Sequence, residues 1–233
     1  MNDLQDQHQN RINIAIDGPA GAGKSTVARH VARELGYIYI DTGAMYRAVA
    51  LHMRRLGIKP EEADRAQHEM NNVVIELQPG IDGQRVFLNH EDVTDLIRTA
   101  EVSQLASSFA QLEGVRSELV RIQRLLSAKK GIVMDGRDIG TSVLPQAEMK
   151  WFLTASVEER ARRRHAEWQG QENVTLEQLM HDISARDKQD ETRAISPLKQ
   201  AADANLLDTT HLNVDQIVQL MVEQARLRMD GEQ

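Results

Sequence analysis

The chain has 233 residues and no cysteine, so it has no disulfide framework, no thiol nucleophile and no cysteine-based zinc site. Acidic residues outnumber Lys and Arg by 35 to 28, and the net charge of −7 argues against attraction to nucleic acid or anionic membranes. An aromatic content of only 3% also leaves little surface for base stacking. Residues 1–10 are polar and no apolar run reaches membrane-spanning length. We therefore expect a cytoplasmic protein with a flexible N-terminus over residues 1–10.

Strand-like runs alternate with helical patterns along most of the chain, which is typical of a parallel sheet covered by helices on both faces. The five runs are 12–16, 37–40, 131–134, 149–153 and 205–207. The first helix is predicted over 25–35, closed by Gly36. Ser156, Thr175 and Asn213 are each followed three residues later by Glu or Gln, a spacing that indicates a helix start.

One stretch breaks this alternation. Residues 73–78 and 85–89 are β-like and are separated by the turn-forming sequence PGIDG, so they predict a hairpin. We place a small inserted subdomain over 61–100, within a single domain that extends over 11–228.

Residues 18–25 read GPAGAGKS and fit the pattern G-x-x-x-x-G-K-[ST] between a buried strand and a helix. Glycines allow a tight turn, and the start of the following helix favours a bound anion. In such a loop Lys24 reaches the β and γ phosphates and the Ser25 hydroxyl holds Mg²⁺. We expect a nucleoside triphosphate site, with Lys24 an exposed loop residue that contributes little to the folded core.

Two further strand ends carry polar side chains, and ligands bind at the carboxyl ends of parallel strands. The segment 41–47, DTGAMYR, brings Arg47 about one helical turn beyond the second strand. Asp135 ends another buried strand, where a carboxylate assists Mg²⁺ or its waters. Arg160 and Arg164 lie at i and i+4 on one predicted helix, as do Arg186 and Asp190 on the next, and Arg186 and Arg193 would share a face if that helix continued.

These segments, in order from residue 12 to about 228, closely resemble the bacterial cytidylate kinase family of nucleoside monophosphate kinases. The resemblance rests on 18–25, 41–47, EDVT at 91–94 with IRT at 97–99, DGRDIGT at 135–141, and 186–193. It implies a P-loop kinase fold: a central parallel sheet of about five strands, a β-containing acceptor-side insert over 61–100, and a helical lid over 156–193. It implies transfer of the γ-phosphoryl group of ATP to CMP or dCMP with Mg²⁺, and we expect a monomer.

The resemblance also assigns roles to residues. Lys24, Asp135, Arg137 and Arg193 are the implied catalytic residues, and Ser25 the metal ligand. ATP would bind Gly18, Pro19, Ala20, Gly21, Ala22, Gly23, Lys24, Ser25 and Thr26. On the acceptor side Arg47, Arg137 and Arg193 would hold the phosphate of CMP, Arg186 and Asp190 would meet the sugar, and Ser107, Arg116 and Asp138 would read the cytosine. Asp41 and Thr42 are also implied CMP-binding residues. Arg160, Arg163 and Arg164 belong to the implied lid.

Several alternatives stay open at this stage. The hydroxyl that meets the base is that of Ser107 or Ser108, and the acceptor could be another nucleoside monophosphate or a sugar acid. A GTPase-type switch is disfavoured because the sequence contains no Asn-Lys pair from which its guanine-reading motif could be built. Nucleic-acid binding is disfavoured by the charge balance.

Overall fold

The computed structural model describes residues 10–80, 83–167 and 174–231. Of the sequence-based predictions, residues 1–9 of the N-terminal segment, Ile81 and Asp82 of the hairpin turn, and 168–173 of the lid lie outside these ranges. The chain divides into two compact units, Met1–Tyr39 with Lys129–Gln233 and Ile40–Ala128.

The described residues form eight strands and eight α-helices. The strands are β1 (Asn13–Asp17), β2 (Ile38–Asp41), β3 (Ile75–Gly80), β4 (Gly83–Leu88), β5 (Glu91–Asp92), β6 (Ile132–Asp135), β7 (Met149–Thr154) and β8 (Asn205–Asp208). The helices are α1 (Lys24–Leu35), α2 (Thr42–Arg55), α3 (Ala63–Glu69), α4 (Ala100–Phe109), α5 (Glu113–Ser127), α6 (Val157–Glu167), α7 (Leu176–Thr192) and α8 (Val214–Met229). Short 3₁₀ turns cover Met70–Asn72 and Leu96–Arg98, and one π-helical turn covers Ile139–Val143.

The larger unit is built on a parallel sheet of five strands in the order β2-β6-β1-β7-β8. The prediction of five strands is confirmed, but β1, β2, β6, β7 and β8 each end one residue later than the apolar runs do. The extra residue is polar and still pairs in the sheet, as Asp135 does with Ile16 and Thr154 with Asp208. Hydrophobicity alone therefore marks the buried part of each strand and misses its polar end.

The core of the larger unit lies between the sheet and helices α1 and α8. Ile14, Ile16, Val31 and Met221 are fully buried there. Gly36 ends α1 in the left-handed conformation, with φ at 64°, as the sequence predicts. The predicted capping residues at Ser156, Thr175 and Asn213 all accept a backbone N–H three residues later.

The smaller unit contains helices α2 to α5 and an antiparallel sheet of β3, β4 and β5. The predicted hairpin exists, but its ladder runs further toward the turn than expected and pairs Gly80 with Gly83. The predicted loop residues Pro79 and Gly80 are therefore strand residues. The third strand, β5, was not predicted, because two charged residues carry no β pattern.

Candidate active site

The loop between β1 and α1 contains glycine at positions that exclude a side chain. Gly18, Gly21 and Gly23 have φ values of 145°, 77° and 83°, which residues with a Cβ atom rarely adopt. A Cβ at Gly18 would lie 2.0 Å from the carbonyl oxygen of Leu153. The chain therefore turns tightly into the N-terminus of α1, where unpaired N–H groups and the helix dipole favour an anion.

Lys24 is the first residue of α1, and the prediction that it is exposed is wrong. Its side chain folds back over the loop and Nζ donates to the carbonyl oxygen of Pro19 at 2.7 Å, so that the residue is only 5% exposed. Burial, with a smaller contribution from the charge of Arg137, lowers the pKa of Lys24 to about 7, against the opposing effect of Asp135 and Asp17. A polyphosphate bound beside this amine would favour its charged form.

Ser25 and Asp135 place a hydroxyl and a carboxylate together at the ends of neighbouring elements. Ser25 Oγ donates to Asp135 Oδ2 at 2.8 Å, and the hydroxyl of Tyr39 donates to Asp135 Oδ1 at 2.9 Å. These are hard oxygen ligands of the kind Mg²⁺ binds alongside substrate phosphates and water. Within the described ranges no three His, Asp or Glu side chains form a metal-binding group.

Asp17, which the sequence analysis did not select, joins the end of β1 to the segment after β6. Its carboxylate accepts backbone N–H groups from Ile139 and Gly140, both at 2.7 Å. Burial raises the pKa of Asp17 to about 7, although these two hydrogen bonds lower it. A signal was present, because an Asp at the end of an otherwise apolar strand beside a phosphate loop is a buried charge that needs partners.

Arg137, Asp138, Asp190 and Arg193 form one cluster of charged groups in the larger unit. Arg137 Nε donates to Asp190 Oδ2 at 2.8 Å, and Arg193 lies 3.4 Å from Asp138 and 3.9 Å from Asp190. Burial raises the pKa of Asp190, but the attraction of Arg137, Arg186 and Arg193 outweighs it and the net shift is downward. The helix that carries Arg186 ends at Thr192 and Arg193 has extended backbone, so the condition under which Arg186 and Arg193 would share a helix face is not met.

The arginines of α6 differ sharply in their surroundings. Arg160 is 4% exposed, donates to the carbonyl oxygens of Ala20 and Ala155, and forms an ion pair with Asp187 of α7 at 2.6 Å. It therefore braces the phosphate loop against α7. Neither the i, i+4 spacing nor the residue type distinguishes it from its neighbours in the sequence.

Arg163 also lies beside the phosphate loop, and Arg164 is half-buried. The Arg163 guanidinium donates to the hydroxyl and to the carbonyl oxygen of the fully buried Thr209, and NH1 lies 3.6 Å from the position of a Cβ at Gly23. The loop after β8 thus fixes one arginine of the predicted lid next to the N-terminus of α1.

In the smaller unit, Asp41, Thr42 and Arg47 lie on the first turns of α2. Asp41 caps the helix by accepting the N–H of Ala44 at 2.8 Å, and it pairs with Arg47 at 3.1 Å. Among the described residues, Nε of Arg47 is buried and has no hydrogen-bond partner. Such a donor is suited to an anion that the chain itself does not supply.

Ser107 and Arg116 lie on α4 and α5 of the same unit. The hydroxyls of Ser107 and Ser108 both point back to carbonyl oxygens one turn earlier, at 3.3 and 3.5 Å, so the two remain equivalent in this respect. Arg116 is 3% exposed, with its guanidinium carbon 5.8 Å from the centre of the Tyr46 ring. Burial of a guanidinium with a planar aromatic neighbour provides a rigid donor.

The fold and the loop together define a phosphate-loop kinase: a parallel sheet, a glycine-dependent loop leading into a helix, and a carboxylate on the neighbouring strand. A family model described as cytidylate kinase matches residues 14–227. The chain belongs to the cytidylate kinase family.

The similarity to individual relatives extends over nearly the whole chain. A cytidylate kinase of Exiguobacterium sibiricum is 54% identical over 221 residues, covering 92% of this chain and 97% of the relative. One of Bacillus thuringiensis is 52% identical over 210 residues, covering 90% and 93%. Among solved structures, an uncharacterised protein of Eubacterium ventriosum is 11% identical with a TM-score of 0.53, covering 93% and 99%, and shows a similar fold.

Across the described parts of the chain, no helix combines the length and the apolar character needed to cross a bilayer.

Proposed function

We propose which residues of this chain bind each substrate in the reaction of its family, the ATP-dependent phosphorylation of CMP or dCMP. The observation that carries the proposal is the buried, glycine-dependent loop with Lys24 and the Ser25–Asp135 pair at its helical end. The enzyme is a phosphotransferase of the nucleoside monophosphate kinase type, and its products are CDP or dCDP and ADP.

In the donor site the backbone of residues 18–26 would bind the phosphates of ATP, and Lys24 would neutralise part of their negative charge. Ser25 and Asp135 would hold Mg²⁺, which when bound neutralises charge on the phosphates and orients them. A low-dielectric site strengthens each of these interactions, and Lys24 is buried. Positioning and charge neutralisation supply most of the catalysis in phosphoryl transfer.

The acceptor needs no general base, because its phosphate is already an anion at neutral pH. Arg47, Arg137 and Arg193 would hold that phosphate in line with the moving group. The buried Nε of Arg47, which lacks a partner within the described residues, supports this role. Arg186 and Asp190 would meet the sugar, and Asp41 and Thr42 would also contact CMP.

Cytosine would be read by Ser107, Arg116 and Asp138. A carboxylate accepts from the N4 amino group of cytosine, which uracil lacks, and an arginine donates to the acceptors of the ring. The pair formed by Asp138 and Arg193 keeps this carboxylate oriented before the base arrives.

The insert, the lid, the oligomeric state and the cellular location are assigned by resemblance to the family. Residues 61–100 would form the acceptor-side insert within a single domain over 11–228. Residues 156–193 would form the lid, in which Arg160, Arg163 and Arg164 close the donor side. We propose a cytoplasmic monomer that acts on these nucleotides and binds neither nucleic acid nor membranes, in keeping with the net charge of −7.

Substrate discrimination tests this assignment. In a coupled assay of ADP release, wild-type protein should use CMP and dCMP in preference to UMP, AMP and GMP. Asp138→Asn should reduce the preference for CMP over UMP by about 10-fold or more, the value of one good base contact. A preference for AMP or GMP would contradict the cytosine assignment and favour a P-loop kinase for another acceptor, and an unchanged CMP to UMP ratio in the variant would remove Asp138 from it.

A further inference from the structure

We propose that Asp17 is a positioning residue that sets the segment carrying Arg137 and Asp138 relative to the phosphate loop. The catalytic part of this inference rests on the proposed function, since it takes Arg137 and Asp138 as acceptor-binding residues. The structural part rests on the geometry alone.

The carboxylate of Asp17 occupies a junction between two functional segments. Asp17 is the last residue of β1 and directly precedes Gly18, the first glycine of the phosphate loop. Its Oδ1 accepts from the N–H of Ile139 and its Oδ2 from the N–H of Gly140, each at 2.7 Å. One side chain, 4% exposed, therefore ties the start of the donor loop to the two residues that follow Asp138.

These two N–H groups belong to the first turn of the π-helical segment Ile139–Val143, where N–H groups have no partner within the helix. The residue in the usual capping position is Asp138, and its side chain makes no capping hydrogen bond. Asp17, at the end of β1, caps the turn instead. The Asp138 carboxylate lies 3.4 Å from the guanidinium of Arg193.

The ionised carboxylate suits this arrangement, because both of its oxygens accept and neither donates. An asparagine offers one accepting oxygen, and its amide group would face an N–H donor. The nearby cation, Lys150, lies with Cδ 3.1 Å from the position of a Cβ at Gly140, but its Nζ donates to Asp203 and Pro145. The turn is thus packed closely against Asp17 and Lys150 on two sides.

Asp17→Asn tests the proposal. Loss of one N–H partner in a buried site should raise the KM for CMP by about 10-fold to 100-fold, while the dissociation constant for ATP stays within about two-fold. Amide hydrogen exchange at Ile139 and Gly140, measured by NMR, should become faster by a similar factor. Ile14→Val, a buried change on the same strand, is the control. It should alter neither the KM for CMP nor the exchange rates at Ile139 and Gly140.

Gly140→Ala provides a second variant should Asp17→Asn fail to fold. A Cβ there would lie 3.1 Å from Lys150 Cδ, a tight contact, and 3.4 Å from Asp17 Oδ2, an ordinary one, so relief of the Lys150 contact should move the Gly140 N–H relative to Asp17. It should show the same pattern with a smaller amplitude.

The outcomes separate the two hypotheses. Unchanged exchange at both amides, faster exchange with an unchanged KM, or equal losses for ATP and CMP would each overturn the positioning role. If wild-type protein fails to phosphorylate CMP, the proposed function fails, while the exchange measurements still decide whether Asp17 holds the turn.

Discussion

The phosphate-loop edge of the larger unit and the three-stranded sheet of the smaller unit use charged residues in opposite ways. At the first, Asp17, Lys24 and Asp135 are each at most 5% exposed and bind backbone groups or neighbouring side chains. Around the second, Arg55 pairs with Glu91 and Arg85 with Asp92 on the surface. Buried charges are costly and persist only where partners hold them, whereas exposed ion pairs contribute little.

The largest effect is expected at Gly18. In Gly18→Ala the new Cβ would fall 2.0 Å from the carbonyl oxygen of Leu153, and the backbone is already at φ 145°. ATP binding should weaken by more than about 100-fold, because the loop must move away from β7 to relieve this overlap. Gly36→Ala is the matched control: it also has positive φ but no atom within 4 Å, so it should lower stability and leave ATP affinity unchanged. Equal ATP affinity in the two variants would contradict the steric argument.

The next largest effect is expected for Lys24→Met. Met keeps the volume but removes the charge, so kcat/KM should fall by about 10²-fold to 10³-fold. The carbonyl oxygen of Pro19 also loses its donor, but Met removes the cost of burying the Lys24 charge, so the two effects on the free energy of unfolding oppose each other. Lys150→Met is the comparison, since that buried lysine also donates to a carbonyl oxygen, of Pro145, at 2.7 Å. It should lose stability with less than a ten-fold fall in kcat/KM. Similar activity losses in both variants would assign the effect to packing.

A smaller effect is expected for the number of protons taken up when ATP binds. Because burial lowers the pKa of Lys24 to about 7, much of this amine is neutral in the free protein at pH 8. A bound polyphosphate raises that pKa again, so ATP binding should take up a proton at pH 8 and much less at pH 6. Calorimetry in two buffers of different ionisation enthalpy measures the uptake. The signal should vanish in Lys24→Met, and its persistence there would exclude Lys24 as the source.

The smallest effect is expected at the exposed pair of the smaller unit. Arg55→Gln should shift the midpoint of thermal unfolding by less than about 4 °C, because surface ion pairs are weak and screened by salt. Activity should stay within two-fold of wild type. A loss of activity, or a shift that 0.5 M salt does not diminish, would show that burial is not what separates the two regions.

The same contrast explains what the sequence could and could not predict. The five strands and the glycine loop were predictable, since apolar runs and a fixed motif encode local structure. The burial of Lys24 was not, because it depends on the fold of Gly18 to Gly23 around the side chain. Arg160 and Arg163 are alike in sequence but contact different partners, which only the positions of α7 and β8 determine.

Asp17 illustrates the same limit of prediction from a single sequence. It carried a detectable signal as a charge at the end of a buried strand, but its partners lie 122 and 123 residues away in the chain. Long-range backbone contacts leave no pattern in a single sequence. The choice between Ser107 and Ser108 also stays open, since both hydroxyls donate to carbonyl oxygens of their own helix.

The most direct test is a competition between two acceptors in one reaction. Wild-type protein is incubated with ATP, Mg²⁺ and equal concentrations of CMP and GMP, and the nucleotide products are separated by chromatography. The account predicts that CDP and ADP form in equal amounts while GMP is left unchanged. Formation of GDP in preference to CDP, or ADP with free phosphate and no CDP, would contradict it.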